Sequence, residues 1–167
     1  MRKGLLEYMS ILFLFISCGN SDEVEEDPCP KWQIVVHIDQ LITFTGNTEN
    51  IDYENLSLIA TDSEWNYQYA PNGNLIADKS NYVEVIKEFN QSDQIKNLRL
   101  VLGHVYENKE TQTAVGYFLL KINENTFDKI IGYYDTRCAN LLLTKINYNN
   151  IEYPENEFVP IEIVKEE

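Results

Sequence analysis

Hydrophobic and polar residues alternate through residues 32–44: Trp32, Ile34, Val36, Ile38, Ile42 and Phe44 take even positions, with Gln40 among them, while Gln33, His37, Asp39 and Thr43 take odd ones. A period of two places alternate side chains on opposite faces of an extended chain. The stretch therefore predicts one bent strand, or two strands meeting at a bulge near Gln40, with one face on a core. A second alternation, Leu56 to Ala60, leads through Thr61, Asp62, Ser63 and Glu64 into Trp65, Asn66, Tyr67, Gln68 and Tyr69, and this reads as a hairpin. Pro71, Asn72, Gly73 and Asn74 then turn the chain. Residues 98–106 and 111–122 predict a further hairpin, its second arm apolar on both sides at Tyr117, Phe118, Leu119 and Leu120 and so central to a sheet. Residues 141–148 and 159–164 complete the strands, with Pro160 confining the last to an edge.

Two segments depart from this rhythm. Tyr82, Val85, Ile86 and Phe89 recur at helical spacing behind Asn81 and Glu84, a capping-box pair, which predicts a short helix over residues 80–90. Phe127, Ile130, Ile131 and Tyr134 fit the same spacing, yet their β-favouring side chains and Gly132 fit a strand equally well. About seven short strands without βαβ order predict a mainly β domain, an antiparallel sandwich or small barrel with one or two short helices, over residues 30–167.

Ahead of that domain, Arg2 and Lys3 precede a short apolar run from Ile11 to Ile16, the layout of an export signal and far short of the roughly 20 residues of a membrane span. The end of the run, Phe15-Ile16-Ser17-Cys18-Gly19, resembles the lipobox of bacterial lipoproteins. That resemblance implies a signal peptide over residues 1–17 and acylation of Cys18, the new N-terminus, so that lipid chains hold the protein to a membrane. Ordinary cleavage after Gly19 is the alternative reading. Residues 18–29 form an acidic tether with Asp22, Glu23, Glu25, Glu26 and Asp27 close together. Acids just after a lipidated Cys are similar to the export tag that carries some Gram-negative lipoproteins to the outer face of the outer membrane; a plain spacer reads equally well.

The chain has three cysteines. With Cys18 assigned to lipid, Cys29 and Cys138 form an even pair in an oxidising compartment, which predicts a disulfide, against the alternative of two unrelated thiols. Twenty-seven acids against 13 bases repel a phosphate backbone and set nucleic-acid binding aside. His37 and His104 are the two histidines, and neither has metal-ligand spacing. No G-x-S-x-G, G-x-G-x-x-G or phosphate-loop motif is present. Asp62, Glu64 and Asn66 alternate as calcium ligands would, but lack the glycine turn and distal Glu of an EF-hand loop. No catalytic residue, metal or cofactor is assigned.

The candidate ligand-binding residues are Trp65, Tyr67 and Tyr69, alternating with Asn66 and Gln68. Flat rings bury large area at low entropy cost, and amides supply donors and acceptors to a glycan or peptide. The competing reading makes the same aromatics a core face. Tyr148, Asn149, Asn150 and Tyr153 form a second candidate, a loop paratope at one end of the sheets. The expectation is a non-enzymatic, envelope-anchored binding module for a glycan, peptide or partner protein; the runner-up is an immunity-type inhibitor lipoprotein whose acidic surface masks a basic partner.

Overall fold

The structure, a computed structural model, describes residues 36–77, 82–91, 94–154 and 159–165. The chain divides between Lys31 and Trp32 into two units, and all the described residues lie in the second. Cys18, Cys29 and the acidic tether lie outside them, so neither the acylation site nor the Cys29 to Cys138 pairing is described.

The predicted break in the first alternation is real, but it falls at Ile38. β1 (Val36–His37) ends there and β2 (Asp39–Gly46) begins in a different sheet. Ile38, Gln40, Ile42 and Phe44 are all buried, so the even positions point inward as the alternation requires. β3 (Ser57–Thr61), β4 (Val83–Phe89), β5 (Ile95–Leu102), β6 (Tyr106–Asn108), β7 (Thr113–Lys121), β8 (Phe127–Asp135), β9 (Leu141–Tyr148), β10 (Ile151–Pro154) and β11 (Ile161–Lys165) follow. The first sheet runs β1-β9-β8-β7-β3, with β10 also on β9 and β6 also on β7; the second runs β11-β2-β5-β4. The protein is mainly β. Both sheets are mixed, because β1 pairs with β9 and β11 with β2 in parallel.

Three expectations are corrected. Residues 83–89 form a strand, not a helix: β4 pairs antiparallel with β5, burying Val83 and Val85 while leaving Ile86 and Phe89 outside. The period-two pair of β-branched residues governs the segment, and Tyr82, with which the helical stripe begins, is 78% exposed. The hairpin read from residues 98–122 is divided. β5 belongs to the second sheet, the chain crosses at residues 103–105, and β6 alone pairs back onto β7. Trp65 to Tyr69 are not a regular strand, since Tyr67 and Tyr69 make isolated bridges to Thr61 and Leu75. Residues 127–134 resolve as strand, and the only helical piece among the described residues is a three-residue 3-10 turn, Arg137–Ala139.

The core lies between the sheets. Phe118, Leu120, Ile130 and Ile146 from the first sheet meet Ile42, Leu98, Leu100 and Leu102 from the second in one buried cluster. Gly116 and Gly132 face each other directly on the central strands. A Cβ on Gly116 would lie 2.7 Å from the Phe118 ring, and one on Gly132 2.4 Å from the Tyr134 hydroxyl. The paired glycines thus cut a notch that seats two large rings, and Tyr134 donates its hydroxyl to the Leu102 carbonyl across the core. Burial pushes the Tyr134 phenol well above its ordinary pKa, so it stays protonated and remains a donor. At one end of the core the buried Asp128 carboxylate accepts hydrogen bonds from Tyr148, Asn149 and Lys165. The Lys165 ammonium lies over the rings of Phe44 and Tyr148, tying β11 to the opposite sheet.

Candidate functional site

Residues directly opposite in an antiparallel register share a face. On the outer side of the first sheet the register therefore builds rows. One is Tyr67, Thr61, Tyr117, Ile131, Asn147 and Glu152; the next is Tyr106, Val115, Tyr133 and Lys145. A third aligns Ile59, Leu119 and Lys129, and a fourth Ser57, Lys121 and Phe127. Tyr117, Leu119, Lys121, Ile131, Tyr133 and Lys145 are half-buried and Lys129 is exposed, so this face combines rings, aliphatic carbon and lysines.

Trp65 completes it. The Asp62 carboxylate accepts the backbone N–H groups of Glu64 and Asn66, both at 2.9 Å, and the Asn66 side-chain amide at 3.0 Å. Trp65 N–H donates to the Asp62 carbonyl at 3.0 Å. This clamp holds Trp65 at φ +68°, a left-handed conformation that costs a bulky residue about 1–3 kcal/mol. The Asn66 amide, aided by those backbone donors, holds the Asp62 carboxyl below its usual range, so the clamp stays ionised at neutral pH. Both Asp62 oxygens are thus taken up by N–H donors, which accounts for the alternating oxygens that resembled calcium ligands. So placed, Trp65 meets Tyr117 edge to face at 6.1 Å, and the Lys129 ammonium lies 4.6 Å from the Trp65 ring centroid. Tyr117 also contacts Tyr106 at 6.2 Å, and Lys145 lies 4.6 Å from the Tyr133 ring.

The five candidates from the sequence separate. Trp65 belongs to this face. Tyr67 and Tyr69, 43% and 60% exposed, lie on the adjoining segment, where Gln68 N–H donates to Ala60 and extends the sheet beyond β3. The Asn66 side chain is engaged by Asp62 and the Gln68 amide donates to the Asn66 carbonyl, so the amides build the loop. The loop paratope read from Tyr148 to Tyr153 dissolves as well. Tyr148 is buried on Asp128, and Asn149 and Asn150 take the left-handed turn between β9 and β10. Sequence reasoning missed Tyr106, Tyr117, Tyr133, Lys121, Lys129 and Lys145. For Tyr117, Lys121, Lys129 and Tyr133 the signal was the odd-numbered positions of β7 and β8, where rings and lysines replace the small polar residues of a merely solvated face; Tyr106 on β6 and Lys145 on β9 join them only through the register.

The outer side of the second sheet is different in kind. There Arg99 is paired with both Asp39 and Glu88, Asn97 donates to Glu88, and Thr43 donates to Asn97. Its one arginine is satisfied internally. On the first sheet Lys145 pairs with Glu152 at 2.9 Å, but Lys121 and Lys129 have no carboxylate within 4.0 Å among the described residues. A shallow cleft of about 690 Å³ lies elsewhere, lined by Tyr53, Glu54, Lys87, Phe89, Gln94 and Ile95, and its lysine already donates to the Glu54 carbonyl.

His37 sits 3.5 Å from Asp39, while His104 packs edge to face on Tyr106 at 5.5 Å. β3 and β6 abut the same edge of β7, leaving Gly116 between them, and Tyr106 bridges this seam by donating to the Thr61 carbonyl at 3.2 Å. His104 Nε2 and Thr61 Oγ1 are buried without a hydrogen-bond partner among the described residues, and burial lowers the His104 pKa. An orphaned buried hydroxyl is destabilising, so Thr61→Val, which removes it at constant shape, is expected to raise stability by about 1 kcal/mol in urea unfolding; a loss of that size would show that the hydroxyl is bonded. No protein-family model, curated protein or solved structure matches the chain.

Proposed function

We propose that this chain is a lipid-anchored, non-enzymatic binding module of the bacterial cell envelope, held to the outer membrane through acylated Cys18, set off from it by the acidic tether, and joined to its domain by a Cys29 to Cys138 disulfide. Its ligand is a saccharide that stacks on the outer face of the first sheet. The lipobox-like sequence supports the anchor, and the even pair of remaining thiols, Cys29 in the tether and Cys138 in the domain, supports the bridge.

The observation that carries the binding reading is Trp65. A large ring is held in a disfavoured backbone conformation by a dedicated carboxylate clamp, against Tyr117 and under Lys129. Strain of this kind persists only where the surroundings enforce it, and it clusters at ligand sites. The lysines on this face speak against a basic partner docking there.

The test is a calorimetric titration of the mature domain with a panel of neutral and acidic glycans, which reads Trp65→Ala as well as the parent; quenching of Trp65 fluorescence in a Trp32→Phe background, since the chain has two tryptophans, is a second signal from the parent ring. Trp65→Ala is expected to weaken binding by about 2 kcal/mol, roughly thirtyfold, with an unchanged melting temperature. Undiminished affinity in that variant overturns the reading.

A further inference from the structure

Resting on that reading, we propose that the ligand is an anionic saccharide chain, carrying uronate or sulfate groups, laid across β7, β8 and β9 with its anions on Lys121 and Lys129. The chain as a whole has formal charge −14, so any polyanion meets repulsion over most of the surface. Lys121, Lys129 and Lys145 nevertheless project from one face of one sheet, as the register places them. Lys129 has no carboxylate within 4.0 Å among the described residues, and Lys121, although it feels the Asp52 carboxylate, forms no ion pair that close, so both remain able to neutralise an incoming anion.

The arrangement also selects the kind of polyanion. Lys129 stands over Trp65 and Lys145, itself paired with Glu152, over Tyr133, so each ammonium covers a ring face; a pyranose stacking on Trp65 displaces the Lys129 ammonium to the sugar's edge, where it meets a carboxylate or sulfate. Lys121 lies diagonally from Lys129, about 7–8 Å away, and Tyr133 lies four residues along β8 from Lys129, about 13 Å. Rings and cations thus recur along a line, as a repeating polymer requires. An acidic peptide fits less well. Extended peptides gain their affinity by adding to a strand edge, and here β3 is already extended by the segment after it while β9 carries β1 and β10. What is offered is a face.

The experiment compares polygalacturonate, chondroitin sulfate, neutral dextran and poly-glutamate by calorimetry at two salt concentrations. Both acidic polysaccharides are expected to bind and to weaken as salt rises, dextran to bind at least tenfold more weakly, and Lys121→Met with Lys129→Met together to lower polyanion affinity by about tenfold, as for the loss of two exposed ion pairs. Lys96→Met, on β5 of the other sheet, is the control and leaves affinity unchanged. If only one acidic polysaccharide binds, with the lysine dependence intact, the proposal stands and the anion is thereby identified. If dextran binds as tightly and the lysine pair is indifferent, the charge assignment falls while the Trp65 reading survives. Poly-glutamate binding that ignores Trp65→Ala overturns the saccharide assignment, and with it the role given to the ring.

Discussion

Asp128→Ala is expected to lower the stability of the domain by about 3–5 kcal/mol, because it leaves the largely buried Lys165 ammonium without its counter-ion. Asp128 is 4% exposed and accepts from Tyr148, Asn149 and Lys165 at once, so three donors lose their acceptor together. Lys165→Met should cost less than Asp128→Ala. It leaves a buried carboxylate, but one still held by two neutral donors, and the methionine stem keeps contact with Phe44 and Tyr148. Breaking one partner of a buried pair differs sharply from removing both: Asp128→Leu with Lys165→Met should recover most of the loss. Burial and the neighbouring Asp128 charge push the Tyr148 phenol far above its ordinary pKa, so it remains a donor throughout the working pH range. Urea unfolding of the three variants decides the matter. A double variant no more stable than Asp128→Ala would contradict the pairing.

Phe118→Ala is expected to cost about 3–5 kcal/mol, since the ring is fully buried between the sheets and its removal leaves a cavity the backbone cannot close. Gly116→Ala should cost about 1–3 kcal/mol for the opposite reason, forcing a methyl to 2.7 Å from both the His104 carbonyl oxygen and the Phe118 ring. The two sites touch, so their effects must not add. In a Phe118→Leu background the penalty of Gly116→Ala should shrink by at least about 0.5 kcal/mol, measured as a double-mutant cycle. Strict additivity would mean that the His104 carbonyl, not the Phe118 ring, sets the penalty at Gly116.

Much of this fold was legible. Inward residues at every second position of β2 and β7 are a direct consequence of the pleat, and Pro160 marked the edge at β11 because it cannot donate to a ladder. What escaped was long-range pairing. The run from Leu98 to Val105 reads the same whether it folds back on β7 or enters the other sheet, because pattern reports which residues are buried and not against what. β4 was misread because Tyr82, Val85, Ile86 and Phe89 satisfy a helical stripe by coincidence, while Val83 and Val85 satisfy the strand by burial. Trp65 was visible as a ring but not as a strained one, since φ depends on the Asp62 clamp four hydrogen bonds deep. Its companions Tyr106, Tyr117, Tyr133 and Lys129 come from three further strands, and only the register gathers them on one face.

The central claim is that ligand rests on that face, and side-chain footprinting tests it most directly. Hydroxyl radicals modify exposed rings, so oxidation at Trp65, Tyr117, Tyr133, Tyr82 and Phe89 can be followed by mass spectrometry with and without polygalacturonate. Protection is predicted at Trp65, Tyr117 and Tyr133, with Tyr82 and Phe89, which are 78% and 58% exposed, oxidised as before. Protection of Tyr82 and Phe89 with Trp65 unchanged would place the ligand elsewhere and contradict the account.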